Sequence, residues 1–366
     1  MATWLRLLAL AAILSPLQAS TILLPPNAPS ALRLASSELR RYLYAAGIDA
    51  APATLAVASS RADVAAALAL GPTFVIAAAP DARALLGADA PTPPSPGLEL
   101  AAGPAAGLVT LVGSDAQHAL YAVYSLLEHL GLSFTSAGAT LPAPGRARAL
   151  PEPGWSSRAA PAFSTRGLQP FHDFAEGPDW WSTDEIKRVT EAVLSMRGNL
   201  IGFHNYPLIE PGLWVGLAAD VLPGGNVSAA SSYPTRWATT LEVANGQTTW
   251  GYMSTNTSAL GYGAGALYEH ECFGHETVSG DAALCPIPTT PADSAELFNR
   301  VGLFFKGAFA HAQALGVATA LGTEIPLSIP GGLNVSSLAY YEGIFTRLEA
   351  LFAGNLTYYW AWTPEK

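Results

Sequence analysis

Carboxylates, a histidine, an arginine and closely spaced tryptophans recur in this sequence where apolar runs end. Glu324 follows Ala318-Thr-Ala-Leu-Gly322 and precedes Ile325-Pro326, so a carboxylate stands at the mouth of an otherwise apolar strand. Such surroundings raise a carboxyl pKa and suit a general acid that protonates a leaving oxygen. The alternative is a glutamate that caps the strand end or pairs with a cation. His204, Asn205 and Tyr206 close a second apolar run, and Arg166, His172 and Asp173 accompany another. Trp360 and Trp362 flank Ala361 and share one strand face. That face either lies in a core or offers an aromatic platform to the apolar side of a pyranose. Arg166 either grips hydroxyls or pairs with a carboxylate. Glu365 supplies a second carboxylate, as a base or as an ordinary exposed side chain. Together these residue types match a sugar site: carboxylates for acid–base work, polar groups for hydroxyls, aromatic faces for the ring.

A further cluster, His270, Cys272, His275, Glu276 and Cys285, invites a metal reading. The spacing of His270 and His275 misses the helical H-E-x-x-H pattern by one residue, and the loop does not advertise a closed tetrahedral zinc site. Cys272 and Cys285 are expected to pair as a disulfide in an oxidising compartment. Neither a metal nor a cofactor is implied. Tyr262-Gly-Ala-Gly265 is a loop rather than a phosphate cradle, since no helix follows it directly.

The elements that must position these groups alternate between strand and helix. Thr21–Pro25, Leu55–Ala58, Phe74–Ala77, Leu98–Ala101 and Leu108–Val112 are expected strands, the second and third of them buried. Leu32, Ala35, Leu39 and Leu43 recur at helical spacing, an Ala-rich helix covers Arg61–Leu70, and another begins at Ser114 or Asp115 and ends near Gly131. Five prolines between Pro142 and Pro161 mark a linker, which places a boundary near residue 150. Beyond it, strands are expected at Phe163–Phe171, Asn199–Tyr206, Thr249–Met253, Val317–Leu327 and Thr357–Glu365. Helices are expected at Ser182–Arg197, Ala292–Leu315 and Ser337–Phe352, the first opened by the capping box Ser182-Thr-Asp-Glu185. Successive strand–helix units with polar and aromatic residues at the strand ends point to a barrel, where an active site lies at the strand C-termini.

Compartment follows from the first residues. Met1–Ala19 has a weakly basic start at Arg6, an apolar run from Leu5 to Leu14, and a Pro16 to Ala19 exit, which is the layout of a secretory signal peptide. Asn226, Asn256, Asn334 and Asn355 each open an N-glycosylation tripeptide. Secretion or residence in the secretory lumen is the expectation. A formal charge of −10 over 366 residues argues against nucleic acid or an anionic membrane as partner, and no stretch after the leader is apolar enough for stable membrane insertion. Oligomeric state is not legible.

Several segments resemble known families. Ser37-Glu-Leu-Arg-Arg-Tyr-Leu43 followed by Gly47, and Gly113 through Gly131, are similar to the first and last helices of the small domain preceding the barrel in family 67 α-glucuronidases and family 20 hexosaminidases. Phe163-Ser-Thr-Arg166-Gly167 is similar to the strand whose arginine holds sugar hydroxyls. Asn199-Leu-Ile-Gly-Phe-His204 is similar to the second barrel strand, which ends in an active-site histidine. Hexosaminidases carry Asp-Glu at the end of strand four, where this chain has Thr323-Glu324, so the resemblance leans to the α-glucuronidase side, with Glu324 as general acid.

The resulting expectation is a signal peptide (1–19), a small α/β domain (20–150) and a partial (β/α)8 barrel (151–366) acting on carbohydrate. Catalysis is assigned to Glu324 and Glu365. Substrate binding falls to Arg166, Asp173, His204, Asn205, Tyr206, Trp360 and Trp362. The alternative is a glycan-binding remnant without turnover, or a gene-model fragment of a longer glycosidase.

Overall fold

The computed structural model describes residues 19–170, 183–204, 213–229, 291–324 and 337–362. Two compact units divide the chain, Met1–Ser164 with Leu194–Arg197 and Thr165–Val193 with Gly198–Lys366.

In the first unit β1 (Thr21–Leu24), α1 (Ser30–Ala45), β2 (Thr54–Val57), α2 (Arg61–Leu68), β3 (Thr73–Ala78) and α3 (Ala79–Leu86) follow one another. Next come β4 (Leu98–Ala102), β5 (Leu108–Gly113), α4 (Ala116–His129), the hairpin β6 (Ser133–Thr135) and β7 (Gly138–Thr140), and β8 (Ser156–Ala159). Six strands make one sheet in the order β2-β1-β3-β5-β4-β8. The first four are parallel and the last two antiparallel to their neighbours. The middle of β3 is fully buried at Phe74, Val75 and Ile76, as a strand covered on both faces must be. The stripe Leu32, Ala35, Leu39 and Leu43 buries α1 at helical spacing, and that helix packs on α4.

The sequence misplaces some of this. β2 was expected to be a buried strand, yet it is the sheet edge, with Leu55 and Val57 exposed. Apolar alternation registers strand propensity but not whether a neighbour covers the strand. Within the Pro142–Pro161 stretch taken for a linker, Ser156–Ala159 forms β8 and pairs with β4, where Arg158 meets Glu99 at 3.2 Å. Its four residues are all exposed, so it carries no apolar signature. The hairpin and α3 were not foreseen, since the pieces are short and apolar periodicity needs length.

The turn from β5 into α4 shows how local chemistry fixes the frame. A Cβ on Gly113 would lie 2.0 Å from the Ala119 nitrogen, so the strand can close onto the helix only through glycine. Asp115 caps α4, accepting from the His118 N–H at 2.9 Å, while the His118 ring Nδ1 lies 2.8 Å from its second oxygen. Partial burial pushes this carboxyl up, but the hydrogen bonds from His118 outweigh it and hold the pKa below the usual carboxylate range. A depressed carboxyl pKa contributes stability that is present above the unfolded value and lost as pH falls through the folded one.

The second unit contains β9 (Gly167–Leu168), α5 (Thr183–Ser195), β10 (Leu200–His204), α6 (Pro291–Ala314), β11 (Ala318–Glu324), α7 (Ser337–Phe352) and β12 (Tyr358–Trp362). Its four strands are parallel and lie side by side in chain order, as in an arc of a (β/α) barrel. The protein is thus a small α/β unit followed by a partial barrel of this type. The expected strand Phe163–Phe171 shrinks, within the described residues, to Gly167–Leu168 at the sheet edge. The expected strand Thr249–Met253 lies outside the described residues. Because β10 pairs directly with β11, no strand lies between them, and among the described residues the strand bearing Glu324 is third in this sheet.

Phe203 of β10 meets Phe305 and Phe309 of α6 at 5.4 and 5.9 Å between ring centres, and Phe309 meets Phe352 of α7 at 5.0 Å. Residues 213–229 are fastened against the same helices. Asn299 accepts from the Val227 N–H and donates to its carbonyl, and the Trp214 indole donates to Ala229 at 2.9 Å. Arg347, 2% exposed, donates to the carbonyls of Gly225 at 3.1 Å and Phe298 at 2.6 Å. Burial lowers its pKa to about 9. Among the described residues no carboxylate pairs with it. Among them, too, no helix is long and apolar enough to cross a membrane.

Two stability outcomes follow. Asp115→Ala is expected to cost about 1 kcal/mol at neutral pH by loss of the cap. Asp115→Asn keeps the cap, and the wild-type advantage over it shrinks as pH falls below about 4; urea titrations across pH 3–7 measure both. Arg347→Ala is expected to cost roughly 2–4 kcal/mol. Arg347→Lys does not recover this, because an ammonium lacks the planar fork that reaches two carbonyls at once.

Candidate active site at the strand ends

Register builds the second sheet row by row. Gly167, Leu200 and Ala318 lie side by side; then come Gly202, Ala320 and Tyr358; then His204, Gly322 and Trp360; and finally Glu324 beside Trp362. Side chains alternate across these rows. Phe203 faces the helices, and so does Tyr359, whose ring meets Phe345 of α7 at 5.0 Å. Gly202, His204 and Trp360 therefore occupy the opposite, inner face. The structure thus brings His204, Trp360, Glu324 and Trp362 to the C-terminal ends of three adjacent parallel strands, with Glu324 and Trp362 placed by their backbone.

His204 is 6% exposed at the last residue of β10. Trp360 is half-buried, and its indole runs from β12 across β11 onto β10. A Cβ on Gly202 would sit 2.4 Å from the indole Cη2, and one on Gly322 would sit 2.6 Å from the Trp360 Cβ. Gly202 leaves room for the ring itself, and Gly322 leaves room for the backbone oxygen and Cβ of the residue that carries it. Trp360 thereby fills the inner face below the last row, which combines the core and platform readings of this residue. The functional part of this that the sequence analysis missed is Gly202. An isolated glycine inside Leu-Ile-Gly-Phe-His was the available signal, because glycine in a strand interior marks close approach by another group.

Arg166 does not join this group at the level of the backbone. Its carbonyl accepts from the Asn199 and Leu200 N–H groups at 2.6 and 3.1 Å, and its own N–H donates to Asn199 Oδ1 at 2.8 Å. It therefore precedes β9 at the N-terminal end of the sheet, level with Asn199 and five residues below His204 in register, or roughly 16 Å along the strand. This register sets the backbone of Arg166 apart from the row that holds His204. Asp173, Asn205, Tyr206 and Glu365 lie outside the described residues, as do His172, Cys272, Cys285, Asn256 and Asn334. Asn226 is exposed in a turn closed by the Leu222 N–H to Asn226 carbonyl bond at 2.7 Å, and Asn355 is half-buried after α7.

Gly202→Ala is expected to cost about 1–3 kcal/mol by overpacking against the indole. Trp360→Phe in the same chain should recover most of the loss, because a shorter ring vacates the point of collision. A double-mutant cycle in urea checks this, and additive losses would show that the indole and Gly202 are not coupled.

No family model and no curated protein matches the sequence. Among solved structures, the chain is similar to CpGH84D, with 8% identity and a TM-score of 0.44 over 93% of this chain and 40% of that one. It is similar to a GH138 enzyme targeting pectin rhamnogalacturonan II, with 9% identity and a TM-score of 0.41 over 89% of this chain and 26% of that one. A GH20 β-N-acetylhexosaminidase from Streptomyces coelicolor A3(2) shows 12% identity and a TM-score of 0.39, over 84% of this chain and 42% of that one. The chain spans less than half the length of each.

Proposed function

We propose that the chain is a secreted glycoside hydrolase unit of α-glucuronidase type, with Glu324 as general acid. The observation that carries this reading is the row structure at the strand ends. A carboxylate, a buried histidine and two tryptophans converge on the C-terminal rows of adjacent parallel strands, where barrels hold their chemistry. Glu324 follows six strand residues of which none is charged, so the sequence leading to it offers no neighbouring cation for a carboxyl that would donate to a glycosidic oxygen. His204 supplies a polar group to sugar hydroxyls from beneath. Trp360 and Trp362 supply aromatic surface to the ring. Thr323 before the glutamate, in place of an aspartate, supports water rather than a substrate acetamido group as the attacking species. In that chemistry a second carboxylate activates the water from the opposite side of the sugar, and Glu365 is the candidate base.

The test is hydrolysis of a panel of glycosides, including glucuronides and N-acetylhexosaminides, by the wild type and Glu324→Gln. Loss of a general acid is expected to lower kcat by about 10²–10⁴-fold on natural oligosaccharides. The loss should be much smaller on aryl glycosides whose leaving group needs no proton. Equal losses on both substrate types would remove Glu324 from the acid role. A folded wild type that binds these sugars without turning any over would make the chain a glycan-binding protein.

A further inference from the structure

Ser20 and Asp49 of the first unit form a buried polar pair that no sugar chemistry uses. Ser20 is 1% exposed and Asp49 is 5% exposed. The Ser20 hydroxyl donates to Asp49 Oδ1 at 2.7 Å, and the Ser20 backbone N–H also donates toward this carboxyl. The second oxygen, Oδ2, is buried with no hydrogen-bond partner, and Asp49 pairs with no cation among the described residues. Burial raises the pKa of this carboxyl, against the partial relief that Ser20 provides. A buried carboxylate served by neutral donors alone is a costly arrangement.

The place of Ser20 is fixed from the other side. Its carbonyl accepts from the Thr54 N–H at 2.8 Å, and the next residue, Thr21, donates to the Pro72 carbonyl at 2.8 Å. These bonds to β2 and to the start of β3 hold Ser20 against Asp49 whatever precedes it. Ala19, by contrast, is exposed. The change from an exposed to a buried residue falls at the point where the leader pattern Met1–Ala19 ends.

We propose that the Ala19–Ser20 peptide bond is hydrolysed by a peptidase acting in trans, and that the α-ammonium left on Ser20 forms a buried ion pair with Asp49. Water supplies the hydroxyl that completes the Ala19 carboxylate and a hydrogen to the Ser20 nitrogen, which takes up one further proton from solution. One amide donor becomes three, carried on a cation, so the orphaned Oδ2 gains a charged donor. Leader removal then completes the first unit rather than trimming it. This inference is independent of the glycosidase reading.

The experiment expresses the full chain through a eukaryotic secretory route, sequences its N-terminus, and treats the native product with mild periodate. That reagent cleaves the 2-amino alcohol of an N-terminal serine and is followed by mass spectrometry of the N-terminal peptide. The expected result is a chain beginning at Ser20 whose serine is oxidised at least about tenfold more slowly in the native protein than in denaturant. Asp49→Asn, which keeps an acceptor for the hydroxyl, should remove most of that protection. A chain starting elsewhere, or a native serine oxidised as fast as in denaturant, overturns the proposal. So does full protection retained in Asp49→Asn, which would mean that neutral hydrogen bonding suffices. If Asp49→Asn does not fold, the native-to-denatured ratio of the wild type decides alone.

Discussion

An indole laid against a strand glycine, Gly202, sets the inner face of the second sheet. The backbone and Cβ of Trp360 close against Gly322 on β11, and its indole ends against Gly202 on β10, so one residue ties three strands in one register. A slip of one residue would turn His204 to the helix side and bring Phe203 inward, because strand faces alternate. The rows above the indole inherit its placement. His204 lies beside Gly322, and Glu324 lies beside Trp362 one row higher. The catalytic reading of Glu324 therefore rests on a packing fact two rows below it.

Two kinds of constraint support that sheet from outside. Apolar contact does so through the ring cluster of Phe203, Phe305, Phe309 and Phe352. Polar fastening does so through Asn299 and Arg347, which tie residues 213–229 to α6 and α7. Contact between loop and helix is close enough that a Cβ on Gly343 would fall 1.8 Å from the Gly216 carbonyl oxygen. In the first unit glycine plays the same part at Gly113, where the strand turns into α4.

How much of this the sequence made legible depends on the kind of signal. Long helices were read almost to the residue: Ser337–Phe352 was expected and found, and Ala292–Leu315 differs from α6 by one residue at each end. Apolar runs such as Phe74–Ala77 and Asn199–Tyr206 announced their strands, and His204 was correctly placed at a strand end. Neighbour relations were not legible. Leu55 and Val57 have the composition of a covered strand and lie exposed at an edge, while β8 has an exposed, polar composition and pairs with β4. Arg166 was a candidate of the expected strand Phe163–Phe171, and the pairing of Gly167 with Leu200 puts its backbone at the start of β9. Gly202 carried its signal in the sequence; Arg347 and Asn299 carried none, since a basic or amide residue on a helix says nothing about which carbonyl it will meet.

The Arg347 clamp has a thermal consequence. Its cost is the dehydration of a guanidinium held by two carbonyls. The hydration free energy of charged groups becomes less favourable as temperature rises, while the apolar driving force per unit area levels off. The fastening of residues 213–229 therefore weakens less on warming than the phenylalanine cluster beside it. The loop also buries Trp214 and Val227 against Phe298 and Ala295, so its hold on the helices combines an anchor that keeps its strength on warming with apolar contact that does not gain.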